Sequence, residues 1–335
     1  MSHGAHGEHG ENFNLESFQI RNPRAHRVPR GFLQKMKIII VGCGFVGLQT
    51  ARLFHNAGWE VIGITHSPES AQNLASEPFR VIACDIADEN AMQFHRADLL
   101  DADAAIHCAS SGRGGVEEYR RVYFCGLQNV LNIWNPKRIL FTSSTSVYAQ
   151  SDSSHVTEKS PAEPLRETGR ILREAENLAL GFLQNPEVAQ NAQTARSGFV
   201  ARLAGIYGPG RSVLLQKFFD GSAVIEGDGS RIINQIHRDD AARALFFLIE
   251  KNAPSGIYNV CDDTPLTQLE IYRALAEHFE KPLPPRGAPN PNRKRGLTSK
   301  RVNNAKLRAL GWQPTFPSFL DALKNDSELL ASLSQ

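Results

Sequence analysis

A short apolar run, Lys37-Ile38-Ile39-Ile40-Val41, leads directly into Gly42-Cys43-Gly44-Phe45-Val46-Gly47 and then into a helix-periodic segment that ends near Ala57 and Gly58. The run reads as a buried strand, and a GxGxxG turn between such a strand and a helix opens a βαβ unit built to hold a dinucleotide. Each glycine has its own task. Gly42 permits the tight turn, Gly44 lets the backbone approach a pyrophosphate, and Gly47 lets helix and strand pack closely. The amino end of the helix offers unpaired N–H groups to the phosphates. Gly42, Cys43, Gly44, Phe45, Val46 and Gly47 are therefore the expected pyrophosphate site.

The pattern then alternates. Strands are predicted at Val61 to Ile64, Arg80 to Cys84, Ala104 to Cys108, Arg138 to Thr142 and Gly198 to Leu203, with helices over Glu117 to Trp134 and Thr168 to Phe182. Apolar strands alternating with helices predict an α/β fold, a doubly wound Rossmann-type parallel sheet with helices on both faces. Beyond Leu203 the rhythm breaks into short elements punctuated by Gly and Pro, including a proline-rich loop from Lys281 to Arg295. A smaller carboxyl-terminal α/β domain over the sheet's carboxyl edge is expected there. The expected organisation is a tail over 1–35, a dinucleotide-binding domain over 36–205 to which 237–260 returns, and a substrate domain over 206–335. The tail, with His3, His6 and His9, lacks periodicity and reads as solvated chain or a tag, and Met36 reads as the natural start.

A formal net charge of +2 over 335 residues does not point to nucleic acid or an anionic membrane as partner. The five cysteines lie far apart with no CxxC pair, which argues against a zinc site and a disulfide framework and fits a reducing cytoplasm. No apolar run reaches the ~18 residues that cross a bilayer, and the polar amino terminus does not resemble a secretory signal. The expected partner is a small-molecule substrate.

Further site residues follow from strand ends, because ligands of open α/β sheets bind at the carboxyl edge. The second strand runs into Thr65-His66-Ser67 with no carboxylate from Val61 to Pro68. An Asp or Glu in that window ordinarily accepts the ribose hydroxyls of NAD; here nothing repels a 2′-phosphate and three polar side chains offer hydrogen bonds. NADP is favoured, with NAD as the alternative. Asp85 is expected at the adenine amino group, and Cys108, Ala109 and Ser110 beside the adenosine ribose; Asp85 and Ser110 also fit plain helix caps.

Further motifs carry a family resemblance from about Lys37 to Trp312. Phe141-Thr142-Ser143-Ser144-Thr145-Ser146-Val147-Tyr148 is similar to a serine-rich strand end, and Arg202 to Arg211, containing Ile206-Tyr207-Gly208-Pro209-Gly210, to a loop beside the nicotinamide. Ile236 to Ala244 and the closing Leu310-Gly311-Trp312 complete the series. Together they resemble the extended short-chain dehydrogenase/reductase superfamily, the NAD-dependent epimerase/dehydratase group. The resemblance implies a nucleotide cofactor, a sugar-nucleotide-like or other small carbonyl or alcohol substrate, and dimerisation through the two long helices.

The superfamily's chemistry uses a tyrosine with a lysine one helical turn later, and none of the six tyrosines here is followed at that spacing by lysine. Thr168 stands at the tyrosine's place and Leu172 at the lysine's. A threonine hydroxyl is too weak an acid to replace a phenol. The departure is similar to the superfamily's atypical subgroup. Ser144 matches the active-site serine, which hydrogen-bonds the reacting oxygen. Tyr148 is the other catalytic candidate, as a recruited proton donor; Arg170, Arg211 and His237 stand as residues that meet an anion or are simply solvated. Two readings stay open: an oxidoreductase or epimerase with altered catalysis, and a non-catalytic NAD(P)-binding sensor or interaction module.

Overall fold

Seven strands form the central sheet: β1 (Lys37–Val41), β2 (Glu60–Thr65), β3 (Arg80–Ala83), β4 (Ala104–His107), β5 (Arg138–Ser144), β6 (Ser197–Leu203) and β7 (Gly256–Val260). Their spatial order is β7-β6-β5-β4-β1-β2-β3, and every neighbouring pair is parallel. The structure is a computed structural model that describes residues 35–112, 114–181, 196–289 and 298–332. Residues 1–34 of the expected tail therefore lie outside the described residues, as do Phe182 and 290–295 of the proline-rich loop.

The chain leaves β1 toward β2 and β3, then returns to place β4 on the other flank of β1, so strand order reverses between β1 and β4. A crevice opens at such a switch point beyond the carboxyl ends of the strands. Val41 pairs with Ile64 on one side and His107 on the other. The glycine turn that follows Val41 is thus set between the segments leaving β2 and β4.

Successive strand residues point to opposite faces, and Ile38, Ile39, Ile40 and Val41 are all fully buried, so both faces of the sheet are covered. Helix α1 (Gly47–Asn56) packs on α3 (Arg238–Glu250). The long helical run over 116–134 packs on α2 (Glu167–Gly181). That run is one rod in the sequence pattern, but it contains two wider π-helical stretches, Arg120–Cys125 and Val130–Trp134. Strand β5 runs to Ser144, past the expected end at Thr142, because Ser143 and Ser144 continue the ladder against Arg202 and Leu203. A second apolar cluster gathers Tyr207, Leu215, Phe218, Ile271, Tyr272 and Phe319. Its helix α4 (Gln268–His278) is fixed at its start by a capping box between Thr267 and Glu270.

Among the described residues no helix is long and apolar enough to cross a membrane, and no group of His, Cys, Asp and Glu side chains is arranged to hold a metal ion.

Candidate functional site

The glycine turn is pinned to β2: the N–H groups of Gly42 and Cys43 both donate to the Ile64 carbonyl, at 2.9 and 2.8 Å. Gly42 has φ +89°, and a Cβ there would stand 2.4 Å from the Ala109 backbone, so only glycine lets the turn lie against the segment leaving β4. A Cβ on Gly47 would stand 2.2 Å from the Gly42 carbonyl oxygen, which closes helix onto strand as the motif requires. Gly44 differs from both. Nothing lies within 4 Å of the position its Cβ would take. Val46, at the N-cap position of α1, makes no side-chain cap, and the first turn carries no acidic residue. The open face of Gly44, the uncapped helix and the absent carboxylate fit a dinucleotide pyrophosphate.

Two arginines stand over this turn. The guanidinium carbons of Arg211 and Arg238 lie 5.1 and 5.5 Å from the centre of the Phe45 ring, stacking charge on an aromatic face. Arg238 is held by its neighbour Asp239 at 2.7 Å, whereas Arg211 has no carboxylate partner among the described residues. His237 is a correction to the sequence reading. It is buried, its Nε2 lies 3.0 Å from Asp326, and its Nδ1 accepts from the Asp239 N–H, so it caps α3 rather than meeting a substrate.

Cys43 is packed inward, and burial pushes its thiol up to about 12. At pH 8 the reactive thiolate then falls to about one part in ten thousand. Iodoacetamide treatment of the native protein at pH 8 is expected to leave Cys43 unlabelled in a peptide map, with full labelling after denaturation. Native labelling at the rate of free cysteine would show that the turn is not packed this way.

At the end of β2, Thr65 is buried with its hydroxyl directed at the Ile82 and Ser67 carbonyls, each 3.4 Å away. Ser67 caps the short helix Pro68–Gln72 by accepting from the Ser70 N–H. Of the three polar residues expected here, His66 is the exposed one, and its Nδ1 lies 3.9 Å from Asp85. Asp85 accepts Arg121 Nη1 on both oxygens, at 2.8 and 2.7 Å, while the other edge of the same guanidinium is taken by Glu118. Arg121 was not legible in the sequence as a site residue. It lies about sixty positions from the glycine turn's strand partner, on a helix whose π-helical stretch gives no pattern signal, yet it reaches the side chain that also faces His66. Cys108 continues the β4 ladder through its N–H to the Val41 carbonyl at 2.7 Å, Ala109 abuts Gly42, and the Ser110 hydroxyl accepts from the Gly112 N–H.

At the end of β5 the Ser144 oxygen accepts the Ser146 N–H at 3.1 Å. Tyr148, weighed above as a proton donor, is fully buried and donates its hydroxyl to Asn259 Oδ1 at 2.8 Å. Burial also raises its phenol, so the structure does not present it as a proton donor to the crevice. Thr168 lies in the first turn of α2, and Leu172, at the lysine's position, is buried among apolar neighbours. Arg170 is exposed and pairs with Glu167 on its own helix.

The model of the NAD dependent epimerase/dehydratase family matches residues 38–261. The chain belongs to that family. Protein YeeZ of Escherichia coli (strain K12) is 30% identical over 238 residues, which is 67% of this chain and 77% of YeeZ. Among solved structures, a UDP-glucose 4-epimerase from Thermotoga maritima with UDP-glucose superposes with TM-score 0.72 at 19% identity, covering 90% of this chain and 100% of that one. A dTDP-glucose 4,6-dehydratase from Bacillus anthracis in complex with NAD gives TM-score 0.68 at 16% identity, covering 89% and 99%. The last two likenesses concern the fold. The epimerase/dehydratase membership accounts for the glycine turn and the serine-rich end of β5, and it sharpens the departure at Thr168 and Leu172.

Proposed function

We propose that this chain holds NADP(H) in preference to NAD(H) and acts on a sugar-nucleotide-like or other small carbonyl or alcohol substrate. One observation carries the cofactor reading: the open face of Gly44 before an uncapped helix, flanked by two backbone approaches that only glycine permits. When bound, the nicotinamide cofactor supplies hydride chemistry. The residues of the chain bind and orient: the turn over Gly42 to Gly47 takes the pyrophosphate, the segment Cys108 to Ser110 lies along the adenosine, and Ser144 holds the reacting oxygen by its free hydroxyl proton.

The preference for NADP rests on the absence of a carboxylate on β2 up to Pro68, with exposed His66 and the guanidinium of Arg121 close by. Asp85 and Glu118 already occupy much of that guanidinium, so the expected preference is modest, about tenfold or 1.4 kcal/mol. Calorimetric titration is expected to give that ratio for NADPH against NADH, and Arg121→Ala to erase it. Equal affinities in the wild type would remove the preference, and tighter binding of NADH would reverse the assignment to NAD.

The second reading is a non-catalytic sensor that uses the same pocket. Thr168, Leu172 and the buried Tyr148 favour it, because none of them presents a phenol or an amine to the crevice. Oxidation of bound NADPH by any member of a panel of nucleotide sugars and small carbonyls decides for the enzyme. We also place the protein in the cytoplasm, on its unpaired cysteines, and as a homodimer through the 116–134 run and α2, on the likeness of fold.

A further inference from the structure

We propose that Lys300 is a substrate-binding and catalytic residue of the crevice, its ammonium meeting the reacting oxygen where the family's usual tyrosine and lysine are missing. The inference rests on the enzyme reading above and deepens it. Three segments converge on Lys300. Its Nζ donates to the carbonyl of Tyr148, in the segment that leaves the carboxyl end of β5 just after Ser144, at 3.0 Å. Residues 299–302 then run beside the continuation of that segment: Ser153 N–H donates to the Ser299 carbonyl, and Arg301 pairs with His155. From the other side, Asn234 donates to the Lys300 carbonyl and accepts from the Val302 N–H, while its own carbonyl takes the Gly205 N–H just past β6. The lysine is thus placed by the chain segments that leave β5 and β6 at the carboxyl edge, where the substrate of such a sheet sits.

The chemistry of the side chain is unusual for a structural lysine. It is 4% exposed, and no carboxylate pairs with it among the described residues. An ammonium has three N–H donors. Two are used, on the Tyr148 carbonyl and on Thr298 Oγ1 at 2.7 Å. The third has no partner among the described residues, which leaves one N–H of a buried cation able to take a further acceptor. Burial alone lowers the amine to about 8, with no charged group acting on it. Near neutral pH both protonation states are therefore within reach. As an ammonium it hydrogen-bonds a carbonyl oxygen or stabilises an alkoxide. As an amine it accepts a hydroxyl proton: the O–H bond breaks, its electron pair stays on oxygen, and the new N–H bond restores the ammonium beside the negative charge.

The test uses the full chain labelled with [ε-13C]lysine, with UDP-glucose as the probe. The resonance missing from K300M identifies Lys300. It is expected to titrate with a midpoint near 8 and to move by half a unit or more when UDP-glucose is added to the NADPH-loaded protein. K300M is expected to bind NADPH within twofold of wild type and UDP-glucose at least tenfold more weakly, with K300R restoring part of the loss. A midpoint at the ordinary lysine value, or unchanged UDP-glucose affinity in a K300M that still binds NADPH, overturns this inference alone. A wild-type protein that binds neither NADPH nor NADH overturns the cofactor reading and this inference with it.

Discussion

Gly44→Asp is expected to weaken NADPH binding by at least about 100-fold, or roughly 2.7 kcal/mol, while shifting the melting temperature by no more than about 2 °C. The two halves of that expectation come from different observations. The fold is spared because the position of a Cβ on Gly44 is open, with no atom within 4 Å. Binding is lost because the new side chain fills the space where phosphate oxygens approach backbone N–H groups, and its carboxylate repels their charge in a partly desolvated cradle. Gly47→Ala is the contrasting control. Its Cβ falls 2.2 Å from the Gly42 carbonyl, so β1 and α1 must separate, and a stability loss of about 2 kcal/mol or more is expected before any ligand is considered. Thermal unfolding and calorimetry on both variants separate the roles. A Gly44→Asp protein that binds NADPH like the wild type would remove the pyrophosphate site from the turn.

The contrast among the glycines also shows why the first βαβ unit is readable from sequence. Strand, turn and helix are contiguous there, and the spacing of Gly42, Gly44 and Gly47 encodes the local closure of helix onto strand, whereas the contact of Gly42 with Ala109 is added by the fold. The apolar runs of β1, β2 and β4 are legible for the same reason: burial on both faces leaves no polar alternation to confuse the period. What the sequence did not reveal is assembled from residues far apart in the chain. Arg121 meets Asp85 across 36 positions, and Lys300 meets Tyr148 across 152. Neither carries a motif, and a lone lysine between Ser299 and Arg301 has the composition of a solvated loop. His237 and Tyr148 fail in the opposite sense. Both have the residue type and edge position of catalytic groups, and in both the polar atoms are consumed inside the protein, by Asp326 and Asn259.

Glu176 provides the other large effect. The buried face of α2 carries Leu172, Ala175, Glu176 and Ala179, a helical stripe in which one carboxylate stands among apolar residues. That carboxylate is fully buried, and it accepts Arg202 Nε and Nη2 at 2.9 and 2.7 Å, the Ser143 hydroxyl at 2.6 Å, and Arg173. Arg202 in turn lies 4.8 Å over the Tyr148 ring. One carboxylate thus ties α2 to β6 and to the end of β5, one residue before Ser144. Glu176→Ala leaves a buried guanidinium without its counter-charge, and a loss of about 3–5 kcal/mol is expected, because breaking one side of such a pair costs more than the pair itself contributes. Glu176→Leu combined with Arg202→Met removes both charges together and is expected to recover more than half of that loss. Denaturant unfolding of the two variants reads the difference directly. A cost for Glu176→Ala below about 1 kcal/mol would mean that water reaches the pair and that the end of β5 is held by its backbone ladder alone.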